Sequence, residues 1–193
     1  MNFTESIDTL SSTIFGLICH QNPEILAKIG DHTLMLCPRC AGLHAGLFLF
    51  LVYTLPFFKG KISMIGWFSK AFCSVSLLLL FSEWLLAQLQ ITQSTNESRY
   101  ITGLLAGNAS CMLLMAYRNY ALYAVKSSAN RSILLILLML SLFSGLGFTF
   151  LSNGHVISLL LLIMVVLNLA FILHTIAMRV FNVLSKNHKI QLS

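Results

Sequence analysis

The stretch VISLLLLIMVVLNLAFILHTIAMRV, residues 156–180, decides the fold class of this protein. Only Arg179, next to its end, is charged. About 20 mostly apolar residues suffice to cross a bilayer as a helix, so this stretch predicts a transmembrane helix. The whole 193-residue chain has the same character, since 57% of it is hydrophobic, 9% is charged and its mean hydropathy is +0.83. Soluble domains are about 25% charged, so the composition excludes a soluble protein and predicts an integral membrane protein.

Four further apolar segments complete a predicted all-α, polytopic membrane helix bundle that forms a single domain over residues 1–193. The five predicted transmembrane helices are 41–58, 70–89, 100–117, 132–151 and 156–180. The segment 9–18 is apolar but too short to cross, and we interpret it as amphipathic or re-entrant. It belongs to a Cys/His-rich N-terminal segment, residues 1–40, that precedes the first span.

The distribution of charge predicts the orientation. With five spans, nine of the twelve basic residues fall on one side of the membrane, and this side is predicted to be cytoplasmic. The N-terminus is then outside and the C-terminus inside. The basic residues are scattered singly, so nucleic acid is not an expected partner, whereas membrane lipid is. The nine are Lys59, Lys61, Lys70, Arg118, Lys126, Arg131, Arg179, Lys186 and Lys189.

Small residues at four-residue spacing predict which helices pack closely. Gly42 and Gly46 lie in the first span, and Gly103 and Gly107 lie in the third. Faces of this kind let two membrane helices approach backbone to backbone. We therefore expect the first span to pack against the third.

Cysteines and histidines of the N-terminal segment predict a metal site at the extracytoplasmic boundary. Cys37-Pro-Arg-Cys40, followed by Gly42, has the form of a zinc knuckle, and Cys19 is the natural third ligand. His44 or His20 would complete a tetrahedral zinc site. His44 lies one helical turn after Cys40, while His20 is adjacent to Cys19. No cofactor other than zinc is expected.

Two alternatives remain open at this point. Without a metal, a Cys-x-x-Cys pair on an oxidising face forms a disulfide, which would make the protein a membrane thiol–disulfide oxidoreductase that uses Cys37 and Cys40. The other alternative is a non-enzymatic metal-binding or sensor subunit.

Polar residues near the same boundary are candidates for chemistry on a substrate. Glu83 is the only acidic residue inside a predicted span, and a carboxylate there needs a partner such as Arg99, the metal or a substrate proton. We assign Glu83 as the candidate catalytic residue. An anionic group of a substrate would be bound by residues that lie before or between the spans. These candidates are Arg99, Asn96, Arg39 and His155, and we expect Asn96 or Ser98 to cap the third span.

Together these motifs resemble the integral membrane proteins grouped as domain of unknown function 2085. The resemblance covers roughly residues 15–117 and implies a bacterial or archaeal cell membrane, but it implies no established activity. Family members often carry an Asp-Gly pair where this chain has Glu83-Trp84 nearby. The matching positions are Cys19, His20, Cys37, Arg39, Cys40, Gly42, Ser94, Asn96, Arg99, Thr102 and Gly103.

The leading hypothesis from sequence is thus a metalloprotein of the inner (cytoplasmic) membrane. If it is an enzyme, we expect metal-assisted hydrolysis or group transfer on a lipid-linked or membrane-delivered substrate. Three thiolates weaken zinc as a Lewis acid, so a purely structural zinc is the main competing interpretation.

Overall fold

The computed structural model describes residues 3–19, 21, 25–29, 32–54, 67–120, 130–147 and 154–191. These residues form six helices and one short antiparallel β-hairpin. The elements in chain order are α1 (Phe3–Ile18), β1 (Lys28–Ile29), β2 (His32–Thr33), α2 (Pro38–Thr54), α3 (Trp67–Gln88), α4 (Asn96–Tyr120), α5 (Asn130–Gly147) and α6 (Gly154–Gln191).

The helical class predicted from the sequence is confirmed, and three helices of the described chain are long and apolar enough to cross a membrane. They are Trp67–Gln88, Asn96–Tyr117 and Gly154–Met178. The two other predicted spans correspond to α2, of 17 residues, and α5, of 18 residues. Both border parts of the chain outside the described residues, so the count of five spans stays a prediction.

The centre of the bundle is the parallel pair α2 and α4, as the glycine spacing predicts. A Cβ atom on Gly42 would overlap the Tyr100 carbonyl oxygen, and one on Gly103 would overlap the Arg39 carbonyl oxygen. Gly46 and Gly107 repeat this arrangement one turn further along. Each helix thus presses its glycines against the backbone of the other, which only residues without a side chain permit. The predicted contact between the first and third spans is confirmed.

Helix α5 packs against this pair through polar and steric contacts. The Tyr100 hydroxyl donates a hydrogen bond to the Gly145 carbonyl oxygen at 2.8 Å, and the hydroxyls of Tyr53 and Ser144 lie 2.5 Å apart. The C-terminal end of α5 thus contacts both the start of α4, through Tyr100, and the last turn of α2, through Tyr53.

Helix α3 occupies the edge of the bundle. Small side chains form its one buried stripe, which faces α4, and the Cys73 thiol donates to the Ala109 carbonyl oxygen at 3.5 Å. The stripe consists of Ser69, Cys73 and Ser76. The rest of α3 exposes large apolar side chains such as Leu78 and Phe81, as expected for a helix surrounded by lipid.

The N-terminal segment covers the end of the bundle where α2, α4 and α6 begin, which we call the cysteine end. Phe15 of α1 is fully buried in the same apolar cluster as Leu161 and Val165 of α6. The hairpin is extended by a hydrogen bond from the Leu34 amide to the Ala27 carbonyl oxygen at 2.8 Å. The segment thus returns the chain from the end of α1 to the start of α2.

Candidate metal centre

Three cysteine side chains meet at the cysteine end. Cys19 directly follows α1, Cys37 directly precedes α2, and Cys40 lies in the first turn of α2. Their three sulfur atoms all lie within 4.8 Å of one another. Cys19 and Cys37 are buried and Cys40 is partly buried, so the thiols face each other rather than solvent.

The backbone around Cys37 has the hydrogen bonds expected of a metal-binding turn. The Cys40 amide donates to the Cys37 sulfur, with a nitrogen–sulfur distance of 3.5 Å, and the Ala41 amide donates to the Cys37 carbonyl oxygen at 3.0 Å. Pro38 occupies the first helical position of α2, where its missing amide hydrogen is not needed. The turn therefore presents both sulfurs in the same direction.

Gln21 fixes the third cysteine, and sequence reasoning missed it. Its side-chain amide donates to the carbonyl oxygens of Ser12 in α1, at 3.1 Å, and Met35, at 3.0 Å. Its backbone has a φ of 48°, in the left-handed region that is uncommon for residues other than glycine. Gln21 thus ties α1 to the segment that leads into Cys37. The sequence showed only a polar residue two positions after Cys19, and it did not indicate which groups Gln21 would contact.

The three thiols differ in acidity because they hydrogen bond to one another. Hydrogen bonds from Cys37 and then Cys40 lower the pKa of the Cys19 thiol far below its usual range, because both stabilise its thiolate. The same hydrogen bond raises the pKa of Cys37, which donates to Cys19. The cluster thus has a preferred site for its first thiolate, and thiolates are the form in which cysteine binds metals.

Of the two predicted histidine ligands, His44 lies outside this group of three. His20 is not among the described residues. His44 is buried on the face of α2 that meets α6, where the Asn168 side-chain amide lies 3.3 Å from its ring Nδ1 and donates to its carbonyl oxygen at 2.9 Å. Among the described residues, no fourth ligating side chain joins the three sulfurs. Proximity therefore does not identify the fourth ligand of a tetrahedral site.

A buried ion pair joins the cysteine turn to α3. The Arg39 guanidinium binds Glu83 Oε2, and the two side chains are only 22% and 14% exposed. The Thr102 hydroxyl of α4 lies 3.5 Å from the same oxygen. Glu83 therefore has Arg39 as its partner in the described structure, and not Arg99, which was one of the three partners that the sequence left open. The motif spacing could not reveal this, because Arg39 and Glu83 are 44 residues apart.

Arg99 lies on the first turn of α4, where its Nε donates to the Ser94 hydroxyl at 2.7 Å. The cap of this helix is Thr95, whose hydroxyl accepts from the Ser98 amide at 3.2 Å. The expectation that Asn96 or Ser98 caps the helix was therefore wrong, and Asn96 is exposed. A threonine three residues before Ser98 was the available signal.

His155 belongs to the first turn of α6 rather than to a loop. Its ring Nδ1 lies 3.6 Å from the Asp8 carboxylate of α1, and both side chains are nearly half exposed. This contact holds α1 near the start of α6, so His155 lies at the cysteine end but outside the group of three sulfurs.

Comparison with known proteins supports the resemblance seen in the motifs. Residues 19–113 match the family described as "Predicted membrane protein (DUF2085)", a range that contains all three clustered cysteines, Arg39 and Glu83. An uncharacterized protein of Methanocaldococcus jannaschii is 29% identical over 106 residues, which cover 55% of this chain and 67% of the relative. No solved structure matches the chain. The match agrees with the family resemblance predicted from the sequence, and it contributes no known reaction.

Proposed function

We propose that this member of the DUF2085 family of predicted membrane proteins binds one zinc ion through Cys19, Cys37 and Cys40. The observation that carries the proposal is the approach of the three sulfurs to within 4.8 Å of one another. Two of them come from one turn and the third from 18 residues earlier in the chain. Sulfur ligands in a tetrahedral arrangement suit zinc, at a zinc–sulfur distance of about 2.3 Å.

The primary role of this zinc is to clamp the N-terminal segment onto the membrane helices. Cys19 directly follows α1, whereas Cys37 directly precedes α2 and Cys40 lies in its first turn. A shared ion therefore links a helix outside the α2–α4 pair to the start of that pair. Three thiolates also donate much negative charge to zinc, which favours a structural over a strongly Lewis-acidic site.

If the centre is also catalytic, the reaction is metal-assisted hydrolysis or group transfer on a lipid-linked or membrane-delivered substrate. Bound zinc would supply polarisation of a water or a carbonyl group. Arg99 and Asn96 lie at the start of α4, where they would bind an anionic group, and His155 starts α6. Glu83 would accept a proton at Oε1, a buried oxygen without a hydrogen-bond partner among the described residues.

Thiol–disulfide exchange is the second candidate function, and the close approach of three free thiols favours it. In this case Cys37 and Cys40 would form a disulfide, releasing two protons and two electrons to an acceptor disulfide, with Cys19 as the resolving thiol. All five cysteines are free in the structure. The reduced form of such a cycle and the apo form of a zinc site contain the same three thiols.

We place the centre on the extracytoplasmic side of the inner membrane, with five spans, an external N-terminus and a cytoplasmic C-terminus. The charge distribution supports this orientation. Single cysteines introduced as Thr95→Cys and Val125→Cys test it in intact cells. A membrane-impermeant thiol reagent should label the first variant above the parent background and not the second, whereas the reverse would move the centre to the cytoplasm.

The metal content of the purified protein tests the choice between zinc and redox chemistry. We expect about one zinc per chain after anaerobic purification in detergent, and its loss in Cys37→Ser or Cys40→Ser. Cys111→Ser is the matched control, since this fully buried cysteine packs in a different cluster within α4. Protein without metal but with a reducible Cys37–Cys40 bond would contradict the zinc proposal and support the redox one.

A further inference from the structure

We infer that Glu83 is a positioning residue for the metal centre, which it stabilises through Arg39. The inference rests on the proposed zinc site and assigns the carboxylate a role at that site apart from proton transfer. Glu83 is not a member of the group formed by the three cysteines. Its effect would pass through the residue that stands between Cys37 and Cys40.

The position of Arg39 in the chain makes this coupling direct. Arg39 is one of the two residues enclosed by the Cys37–Cys40 turn, so any rotation of its backbone changes the relative direction of the two sulfurs. Its carbonyl oxygen is pressed against Gly103 of α4. Its guanidinium is held by the Glu83 carboxylate of α3. Both ends of the residue are therefore fixed by membrane helices outside the turn.

The energetics favour a pair that forms as a unit. Glu83 is a carboxylate in a helix that is long and apolar enough to cross the membrane, where an unpaired charge is costly. With the two side chains only 14% and 22% exposed, removal of either partner would leave the other poorly solvated. Arg39 would then move toward water, and the cysteine turn would move with it.

Glu83 is in turn well placed by its neighbours. It continues the stripe of Ser69, Cys73 and Ser76 by which α3 faces α4, and the Thr102 hydroxyl of α4 lies 3.5 Å from Oε2. The same hydroxyl is anchored to the Ser98 carbonyl oxygen at 2.9 Å. The carboxylate therefore fixes the cysteine turn relative to α3 and α4. Residues that bond to metal ligands orient those ligands in the same way.

Competition for zinc with a chelator tests the inference. The purified, zinc-loaded full chain in detergent is compared as wild type, Glu83→Gln, Arg39→Gln and the double variant. We expect each single variant to lose about 10- to 100-fold in zinc affinity. The double variant should lose no more than the larger single effect, because the two residues act as one unit. Glu97→Gln is the matched control, since it removes an exposed acidic charge from the first turn of α4.

A spectroscopic readout separates positioning from general destabilisation. Cobalt replaces zinc, and its visible absorption reports the sulfur geometry. Glu83→Gln should alter these bands while far-ultraviolet circular dichroism stays helical, and Glu83→Asp should restore part of the affinity. If Glu83→Gln fails to fold, Arg39→Lys keeps the charge but loses the planar fork, and a loss of zinc affinity is still expected.

Two results would count against different claims. Glu83→Gln with the same affinity and cobalt spectrum as Glu97→Gln would overturn the positioning role and leave the zinc site intact. Wild-type protein that binds neither zinc nor cobalt would contradict the proposed function itself.

Discussion

The α2–α4 pair and helix α3 show two different ways of fixing a helix in a membrane. In the pair, four glycines let each backbone touch the other. Helix α3 instead meets α4 through Ser69, Cys73 and Ser76, and its charged end is held by Arg39. Lipid is as apolar as a leucine side chain, so neither contact gains from the hydrophobic effect. Close van der Waals packing secures the centre, and polar contacts secure the edge.

This difference teaches which changes the fold tolerates. A backbone contact has no side chain that can move aside, so any added atom forces two helices apart. A side-chain stripe can repack, so a change there displaces α3 and leaves the centre in place. The cysteine turn lies where both types of contact converge, since Arg39 touches Gly103 with its carbonyl and Glu83 with its guanidinium.

Substitution of a central glycine should have the largest effect. Gly42→Ala places a Cβ atom onto the Tyr100 carbonyl oxygen and close to the Leu104 amide, so α2 and α4 must separate. We expect a loss of about 3 kcal/mol, the upper end of overpacking costs, measured by unfolding in detergent mixtures. Gly147→Ala is the control, because no atom of the described residues lies within 4 Å of the added Cβ. Equal stability of the two variants would contradict the backbone contact.

A substitution in the stripe of α3 should have an intermediate effect. Ser76 is 2% exposed against α4, so Ser76→Leu should displace α3 at a cost of about 1–3 kcal/mol. Limited proteolysis of α3 should accelerate while fragments that contain α2 and α4 persist. Ser74→Leu changes an exposed position two residues away and should leave proteolysis unchanged. Simultaneous loss of all helices in Ser76→Leu would show that edge and centre are one unit.

The contact between α2 and α6 should give the smallest effect. Asn168→Leu removes the hydrogen bond to the His44 carbonyl oxygen and the contact with its ring. Interhelical hydrogen bonds in membranes contribute about 0.6 kcal/mol on average, so we expect a decrease of this size in the free energy of unfolding. Thr175→Val is the control on the same helix, since Thr175 bonds only to Phe171 within α6 in the described contacts. A larger loss in the control would contradict the assignment.

Features that depend on short chain distances were predictable from the sequence. The glycines at four-residue spacing predicted that α2 and α4 pack together, because a helix face of small residues in a membrane is typical of close helix packing. The three-residue spacing of Cys37 and Cys40 predicted that both belong to one site, because a turn of this length directs the two side chains to the same point. The apolar stretches gave the helices, although α6 runs from Gly154 to Gln191, well beyond the predicted span 156–180.

Side-chain contacts between elements that carry no such pattern of small residues were not predictable. Arg39 rather than Arg99 contacts Glu83, because the Arg39 side chain extends from the cysteine turn to α3. The His44 contact with Asn168 required the position of α6, and the ties of Gln21 required the fold of the hairpin. Each of these pairs joins polar residues whose sequence context is equally compatible with several partners.

The central claim is that three sulfurs from two separate parts of the chain hold one metal ion, and zinc-edge X-ray absorption tests it most directly. We predict that the zinc-loaded protein shows three sulfur scatterers at about 2.3 Å, and that Cys19→Ser lowers this number by one. Zinc bound without sulfur neighbours, or a sulfur count unchanged in Cys19→Ser, would contradict the account.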